Sequence, residues 1–267
     1  MNNTQLDDSV ITFIDIKKMK KTLCAISILP ITTLLTIPTV FANPTSIGLG
    51  IGWVNSPYKS YSSKFYPIPH IDYDNDLFFI DDLSAGIYAY NTDNQSLSIG
   101  VRYLSNEFKP HDSNNHQLKL LDSRHSTLLA EIEYSIDTNF GSFSSSIGAD
   151  ILNESNSLLA NTDYSIPYMQ GNLVIVPTIG INWANSKHND YYYGISHKES
   201  SRSKLHYFNA DSSFTPYAEI GMQYSLTDNI STFGSLHIDK LTGDAADSPM
   251  VDNSTVTSIY MGISYKF

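Results

Sequence analysis

Ser235, His237 and Asp239 are the residue types an acyl-transfer site uses: a hydroxyl nucleophile, an imidazole base and a carboxylate to orient it. Spaced by two, they share one face of any β-strand that carries them. A triad needs its imidazole between nucleophile and acid in three dimensions, and spacing along one strand does not supply that. A hydrated polar cluster is the simpler expectation, and a hydrolase the more distant one. His111, Asp112 and His116 are potential metal ligands, but they fall in a polar connection without regular ligand spacing. His70, His125, His188, His197 and His206 also fall mostly in expected loops, where solvation is ordinary. The sequence has no His-Glu-x-x-His, phosphate loop or paired-glycine nucleotide motif, so neither cofactor nor metal is expected.

The elements that must position these groups show themselves by alternation. In 255–267, Ile259, Met261, Ile263, Tyr265 and Phe267 oppose Ser258, Tyr260, Gly262, Ser264 and Lys266. In 214–226, Pro216, Ala218, Ile220, Met222 and Tyr224 oppose Tyr217, Glu219, Gly221 and Gln223. Period two marks strands with one apolar and one polar face. Ten segments show it: 46–54, 83–90, 97–104, 128–136, 141–152, 158–168, 171–184, 214–226, 229–241 and 255–267. Most have the ~9–11 residues that a tilted strand needs to cross a bilayer.

Short turns at 91–96, 137–140, near Gln170 and at 227–228 alternate with longer polar connections at 55–82, 105–127, 185–213 and 242–254. The segment 153–157 is the short exception. Outer-membrane barrels have this rhythm, with short periplasmic turns and long outer loops. The expected fold is therefore all-β, an antiparallel transmembrane β-barrel of about ten strands. Twelve is the alternative, if segments near 63–73 and 190–208 each add a strand.

A soluble β-sandwich would also alternate, but its wet face should be rich in Lys and Glu. Here the polar face is mostly Ser, Gly, Asn and Thr, and Trp53, Tyr103, Tyr134, Trp183, Tyr224, Tyr265 and Phe267 fall at strand ends as interfacial girdles would. Lys240 sits at an apolar position near a strand end, where it can snorkel.

Composition agrees. Charged residues are 16% of the 267, against roughly 25% in an ordinary soluble domain. A formal net charge of −11 excludes the basic footprint of a nucleic-acid binder. At the N-terminus, Met19-Lys20-Lys21, an apolar run over 23–37 and Val40-Phe41-Ala42 form a secretory signal with cleavage after Ala42. Three acids precede that basic start, which points to Met19 as the initiator. The chain thus divides into an upstream and signal segment, 1–42, and a barrel, 43–267. The single cysteine, Cys24, falls in the removed part, so disulfides and thiolate metal sites are excluded from the mature chain.

Several stretches resemble the MipA/OmpV family, the MltA-interacting outer-membrane proteins. These are Pro57-Tyr58-Lys59-Ser60 with Pro67-Ile68-Pro69-His70-Ile71; Asp190-Tyr191-Tyr192-Tyr193-Gly194-Ile195-Ser196; Tyr207-Phe208-Asn209-Ala210; and Leu241 through Asp247-Ser248-Pro249-Met250-Val251. Gly262, Tyr265 and the terminal Phe267 resemble the assembly signal that the barrel-assembly machinery reads. The resemblance implies a barrel without known catalytic chemistry, set in outer-membrane lipid and lipopolysaccharide. It also implies a scaffold role, joining a murein-degrading lytic transglycosylase to a bifunctional murein synthase. The loop segments 190–196 and 247–251 would be its functional parts. Yet those loops face outward, whereas murein enzymes work in the periplasm.

By register, Arg102, Glu131, Glu133, Asp150, Glu219, His237, Asp239 and Lys266 face the lumen. Acids outnumber bases, so an open lumen would favour cations and make a narrow pore for small cationic solutes or antibiotics. The competing expectation is a closed interior in which Arg102 pairs with Glu131 or Glu133, with Tyr88, Tyr90, Tyr217, Phe233 and Tyr260 also pointing inward.

Overall fold

The computed structural model describes residues 45–267, so the signal reading of 1–42, with Met19, Cys24 and Ala42, lies outside the described residues. All ten alternating segments are strands. They are β1 (Thr45–Val54), β4 (Ser84–Asn91), β5 (Gln95–Leu104), β6 (Thr127–Thr138), β7 (Gly141–Asp150), β8 (Leu158–Ser165), β10 (Leu173–Ala184), β11 (Ser213–Ser225), β12 (Ile230–Lys240) and β13 (Thr255–Lys266). Three more appear: β2 (Lys64–Asp74), β3 (Phe78–Asp81) and β9 (Tyr168–Gln170). Each neighbouring pair is antiparallel, and β1 pairs with β13 from Ser46↔Lys266 to Val54↔Ser258, which closes the ring.

The ring contains twelve strands. β9 is not a thirteenth, because it continues the line of β8 along β10. The break has a cause in sequence. Pro177 of β10 lies opposite Ile166, accepts from its N–H at 3.0 Å, and has no N–H to return. Of the two segments that could raise the count to twelve, 63–73 does so as β2. The segment 190–208 does not, being largely helical: α1 (Ser186–Tyr193) and α2 (His197–Ser203). The twelfth strand is β3, whose four residues are too few to display alternation.

Outward residues form an apolar band that includes Leu49, Ile99, Ile132, Ile147, Ile179 and Met261, all exposed. With no water in hydrocarbon, such a band sits against lipid tails. Tyr90 departs from expectation. A bulge shifts the β4–β5 register between Tyr88 and Tyr90, so Tyr88 faces inward opposite Ser98 while Tyr90 joins Leu97 on the outer face, 51% exposed.

Both chain ends of the ring lie at one end with the short turns 75–77, 92–94, 139–140, 171–172 and 226–229. The long connections 55–63, 105–126, 185–212 and 241–254 lie at the other, with 151–157 the shorter one there. The first of these is shorter than the expected 55–82 because β2 and β3 take up its remainder. Placing Arg at the outward position Ile99, near the middle of β5, is expected to cost about 2–4 kcal/mol, whereas Ser98→Asn on the lumen face costs little. Denaturant unfolding of the liposome-inserted barrel measures both.

Candidate functional site

The lumen is polar and partly filled. A cavity of about 480 Å³ runs through it, walled by residues such as Ser98, Glu133, Ser146, Asn182, Glu219 and Asp239. On one wall Arg102 donates from Nε and Nη2 to Glu131 at 2.9 and 2.7 Å. On another, Asn161 donates to Asn182 at 2.8 Å and to the Tyr217 hydroxyl at 3.1 Å, and the Tyr217 ring stacks on His237. Tyr217 fits because it lies over Gly180, where a Cβ would collide with its ring.

His237 does meet Asp239, with Nε2 3.1 Å from Oδ2, but its Nδ1 is taken by Glu219 at 2.8 Å. Both nitrogens therefore face carboxylates. None is left to activate the Ser235 hydroxyl, which is buried and has no hydrogen-bond partner among the described residues. The arrangement is an imidazole clamped by two acids, not a nucleophile–base pair.

Asp150 is corrected too. It lies on an inward register position, but its carboxylate accepts from Thr127 Oγ1 (2.5 Å) and from the N–H groups of Leu152, Ser155 and Asn156, so it ties down the 151–157 connection. Asp163, which sequence reasoning passed over, lines the cavity instead. Lys266 is exposed at the short-turn mouth.

At the other mouth the long loops fold together into a cap with its own core: Tyr58, Phe108, Leu118, Tyr192, Ile195 and Met250 are among its buried members. The segments singled out by their wording converge here. Tyr58 donates to the Tyr192 carbonyl at 3.2 Å, Ser248 Oγ to the Tyr193 carbonyl at 2.6 Å, and Lys59 N–H to the Met250 carbonyl at 2.9 Å. Ile195 and Phe208 exchange backbone hydrogen bonds. Gly194 follows α1 because a Cβ there would collide with Asp190. Asp190 and Asp247 remain exposed and Tyr191 is half-buried, while Tyr192 (1% exposed), Tyr193, Gly194, Ser248 and Pro249 are buried. These segments are thus mostly the cap's interior rather than a free binding surface.

Two groups at the centre of the cap were not singled out in the sequence. Arg124 donates to Glu199 Oε1 at 2.8 Å, to the carbonyls of Asp122 (2.8 Å) and Gly194 (3.3 Å), and to the Tyr191 carbonyl. Burial pushes the Glu199 carboxyl up, but the Asp122 N–H, the Arg124 guanidinium and the Ser196 N–H together hold it below the usual carboxylate range. A readable signal existed for half of this pair, since Ser196-x-x-Glu199 forms a reciprocal capping box at the start of α2.

The histidines divide. His111, His116, His125, His197 and His206 are exposed, as expected of loops. His70 instead faces inward on β2, with Nδ1 2.9 Å from Asp82. His188 is buried in α1 with Nδ1 2.8 Å from Ser157 Oγ. Among the described residues no group of three His, Cys, Asp or Glu is placed to hold a metal ion.

A closed ring with an apolar outer band, a polar lumen and long loops at one end is a transmembrane β-barrel of the outer-membrane type. The chain belongs to the MipA family, matching the family model described as MltA-interacting protein MipA over residues 47–267. It is 37% identical over 222 residues to the MltA-interacting protein of Escherichia coli K12, covering 83% of this chain and 90% of that one. It is 29% identical to the putative outer membrane protein YiaT of the same organism, covering 85% and 92%. It is 25% identical to the outer membrane protein OmpV of Vibrio cholerae, over 62% and 64%. Among solved structures it is similar to the NanC porin, with a TM-score of 0.47 and 10% identity over 83% of this chain and all of that one. Likeness so distant says nothing of cargo.

Arg124→Ala strips the buried Glu199 of its close guanidinium, leaving it Arg202 at 4.0 Å and the Asp122 and Ser196 donors, and is expected to destabilise the cap by up to about 3–5 kcal/mol without opening the ring. Hydrogen exchange would show lost protection over 191–203 with β-strand protection intact. A second expectation concerns acid. Burial draws His188 down from 6.5 to about 4. Between those values the unfolded segment holds the extra proton, so cap stability falls as pH drops through the window, by about 3 kcal/mol at full expression, and nothing is lost above it. His188→Gln removes this loss, leaving the lowered carboxylates of Glu199, Asp112 and Asp150 to contribute as the pH falls further; exchange rates at pH 7, 5 and 4 distinguish the two.

Proposed function

We propose that this chain is a non-enzymatic scaffold of the cell envelope that binds a lytic transglycosylase, and with it a bifunctional murein synthase. In this reading it is exported by the signal in 1–42, which begins at Met19 and is cleaved after Ala42. The observation that carries the scaffold is the 37% identity to a protein named for interacting with MltA, spread over 90% of that protein.

The geometry supports a particular face. The cap lies at the end of the long loops, away from murein, so a periplasmic partner must meet the short-turn end. That end presents apolar side chains at its tips: Leu77, Phe140 (82% exposed) and Leu226, with Phe267 at the rim. Exposed apolar knobs on tight turns are poor for solubility and good for contact. They answer the topological difficulty without long periplasmic loops. In this reading Asp190, Tyr191, Asp247 and their neighbours keep the cap folded and do not touch the murein enzymes.

Affinity capture from detergent-solubilised envelopes, with the purified barrel as bait, tests the proposal. A lytic transglycosylase should be recovered by the native barrel and by the cap variant Arg124→Ala. It should be lost when Leu77, Phe140 and Leu226 are all replaced by Asp, each substitution being expected to cost on the order of 1–2 kcal/mol of binding. Recovery of only lipopolysaccharide and barrel-assembly components by the native barrel would defeat the scaffold.

A further inference from the structure

The wall of the ring is incomplete at one place. β2 runs from Lys64 to Asp74, but β3 pairs with it only at 72–74, and the chain turns back at 82–83 into β4. Above that turn, on the side of the long loops, the two strands that separate β2 from β5 are missing. Odd-numbered residues of β2 aim their backbone groups at this gap: the Ile71 carbonyl accepts from Asp82 N–H at 2.8 Å, and Ile71 N–H donates to the Asp82 carboxylate at 3.0 Å. These two bonds finish the floor. The next odd positions upward are Pro69, Pro67 and Phe65, whose backbone groups on that side have no partner among the described residues. Both prolines stand where an N–H would have been orphaned, as is usual for proline at a sheet edge.

The gap has a roof and two banks. Lys64 and the Tyr61 hydroxyl both bind the Asp112 carboxylate, and Asn114 N–H donates to the Ser60 carbonyl at 2.8 Å, joining the loops above. Lys64 and Tyr66 on one bank, with Ser105 and Glu107 on the other, also wall the lumen cavity, so the gap borders the cavity. Ser105 is 2% exposed and its hydroxyl has no hydrogen-bond partner. The axial route outward is covered by the packed cap.

We propose that this window is a lateral portal through which a single-tailed cationic amphiphile passes between the outer leaflet and the lumen. The edge selects the head group. It offers the carbonyls of Phe65, Pro67 and Pro69 against a single N–H, that of Phe65, and the neighbouring Lys64 ammonium is already paired with Asp112, so the free backbone groups chiefly accept hydrogen bonds. An ammonium group brings three donors and no acceptor, and unpaired carbonyls at membrane depth cost enough to reward it. A partner β-strand needs alternating donors and acceptors, which the prolines deny it. The lumen beyond is lined by more acids than bases, Glu131, Glu133, Asp163, Glu219 and Asp239 among them, so it excludes anions. The exposed apolar lip of Phe65, Pro67 and Pro69 lies against the tail.

The test uses the whole barrel in phosphatidylethanolamine–phosphatidylglycerol nanodiscs and dodecylamine with a photoactivatable group in its tail. Adducts mapped by mass spectrometry should concentrate several-fold on 64–69 and 104–107 over Ile147 on the far wall, and should reach the inward-facing Tyr66. Joining Pro67→Cys to Asn106→Cys with a bismaleimide should abolish the Tyr66 adducts, and a dodecyl sulfate analogue should not form them. Even labelling around the belt, or Tyr66 adducts that survive the bridge, would overturn the portal. So would Pro67→Cys cross-links between two copies that displace the probe, since a second copy would then cover the edge. Heat-modifiable mobility shows that each variant has folded.

Discussion

Backbone hydrogen bonding in the absence of water is the constraint on which this structure rests. A peptide group left without a partner in hydrocarbon costs several kcal/mol, so a sheet can cross a bilayer only when its first and last strands meet. Here Ser46–Val54 meets Ser258–Lys266, and the alternation of Ile, Leu and Val outward with Ser, Gly and Glu inward follows from that closure. The places where the ladder falters are each marked in the chain. Pro177 sits opposite the break between β8 and β9, Asp82 closes the floor where β3 ends, and Pro67 and Pro69 stand where no N–H could be satisfied.

The two ends of the barrel solve different problems. At the short-turn end the strands reverse in a few residues and leave apolar tips exposed. At the other end, loops of up to 28 residues (185–212) bury a core of aromatic and aliphatic side chains around one guanidinium. Arg124 suits that position because its planar fork reaches several acceptors at once, three of them main-chain carbonyls. Removing its partner charge would leave a buried ion, so the pair acts less as a source of stability than as a demand that the loops meet in one way.

Strand existence was legible in the sequence because period two is a strong signal over ten residues. It failed where strands are short or irregular. Four residues of β3 cannot alternate convincingly, two prolines hid β2, and one extra residue at Ala89 turned Tyr90 over to the lipid face. The lumen charges were readable by parity, with Arg102 and Glu131 paired as expected, but parity says nothing of where a carboxylate tip goes, and Asp150 bent to its own turn. The cap was the least legible. Arg124 and Glu199 are isolated charges 75 positions apart in polar loops, and only the Ser196 capping box hinted at the helix that holds one of them.

The cap draws its interior from residues as early as Tyr58 and as late as Val251, and the seam joins the two ends of the folded chain. Neither can exist on a partial chain. Contacts of such long sequence separation form slowly, after many local hairpins are in place. Only a ring closed in the correct register brings the loop residues within reach of Arg124. A packed cap is therefore the mark of a ring closed in its correct register.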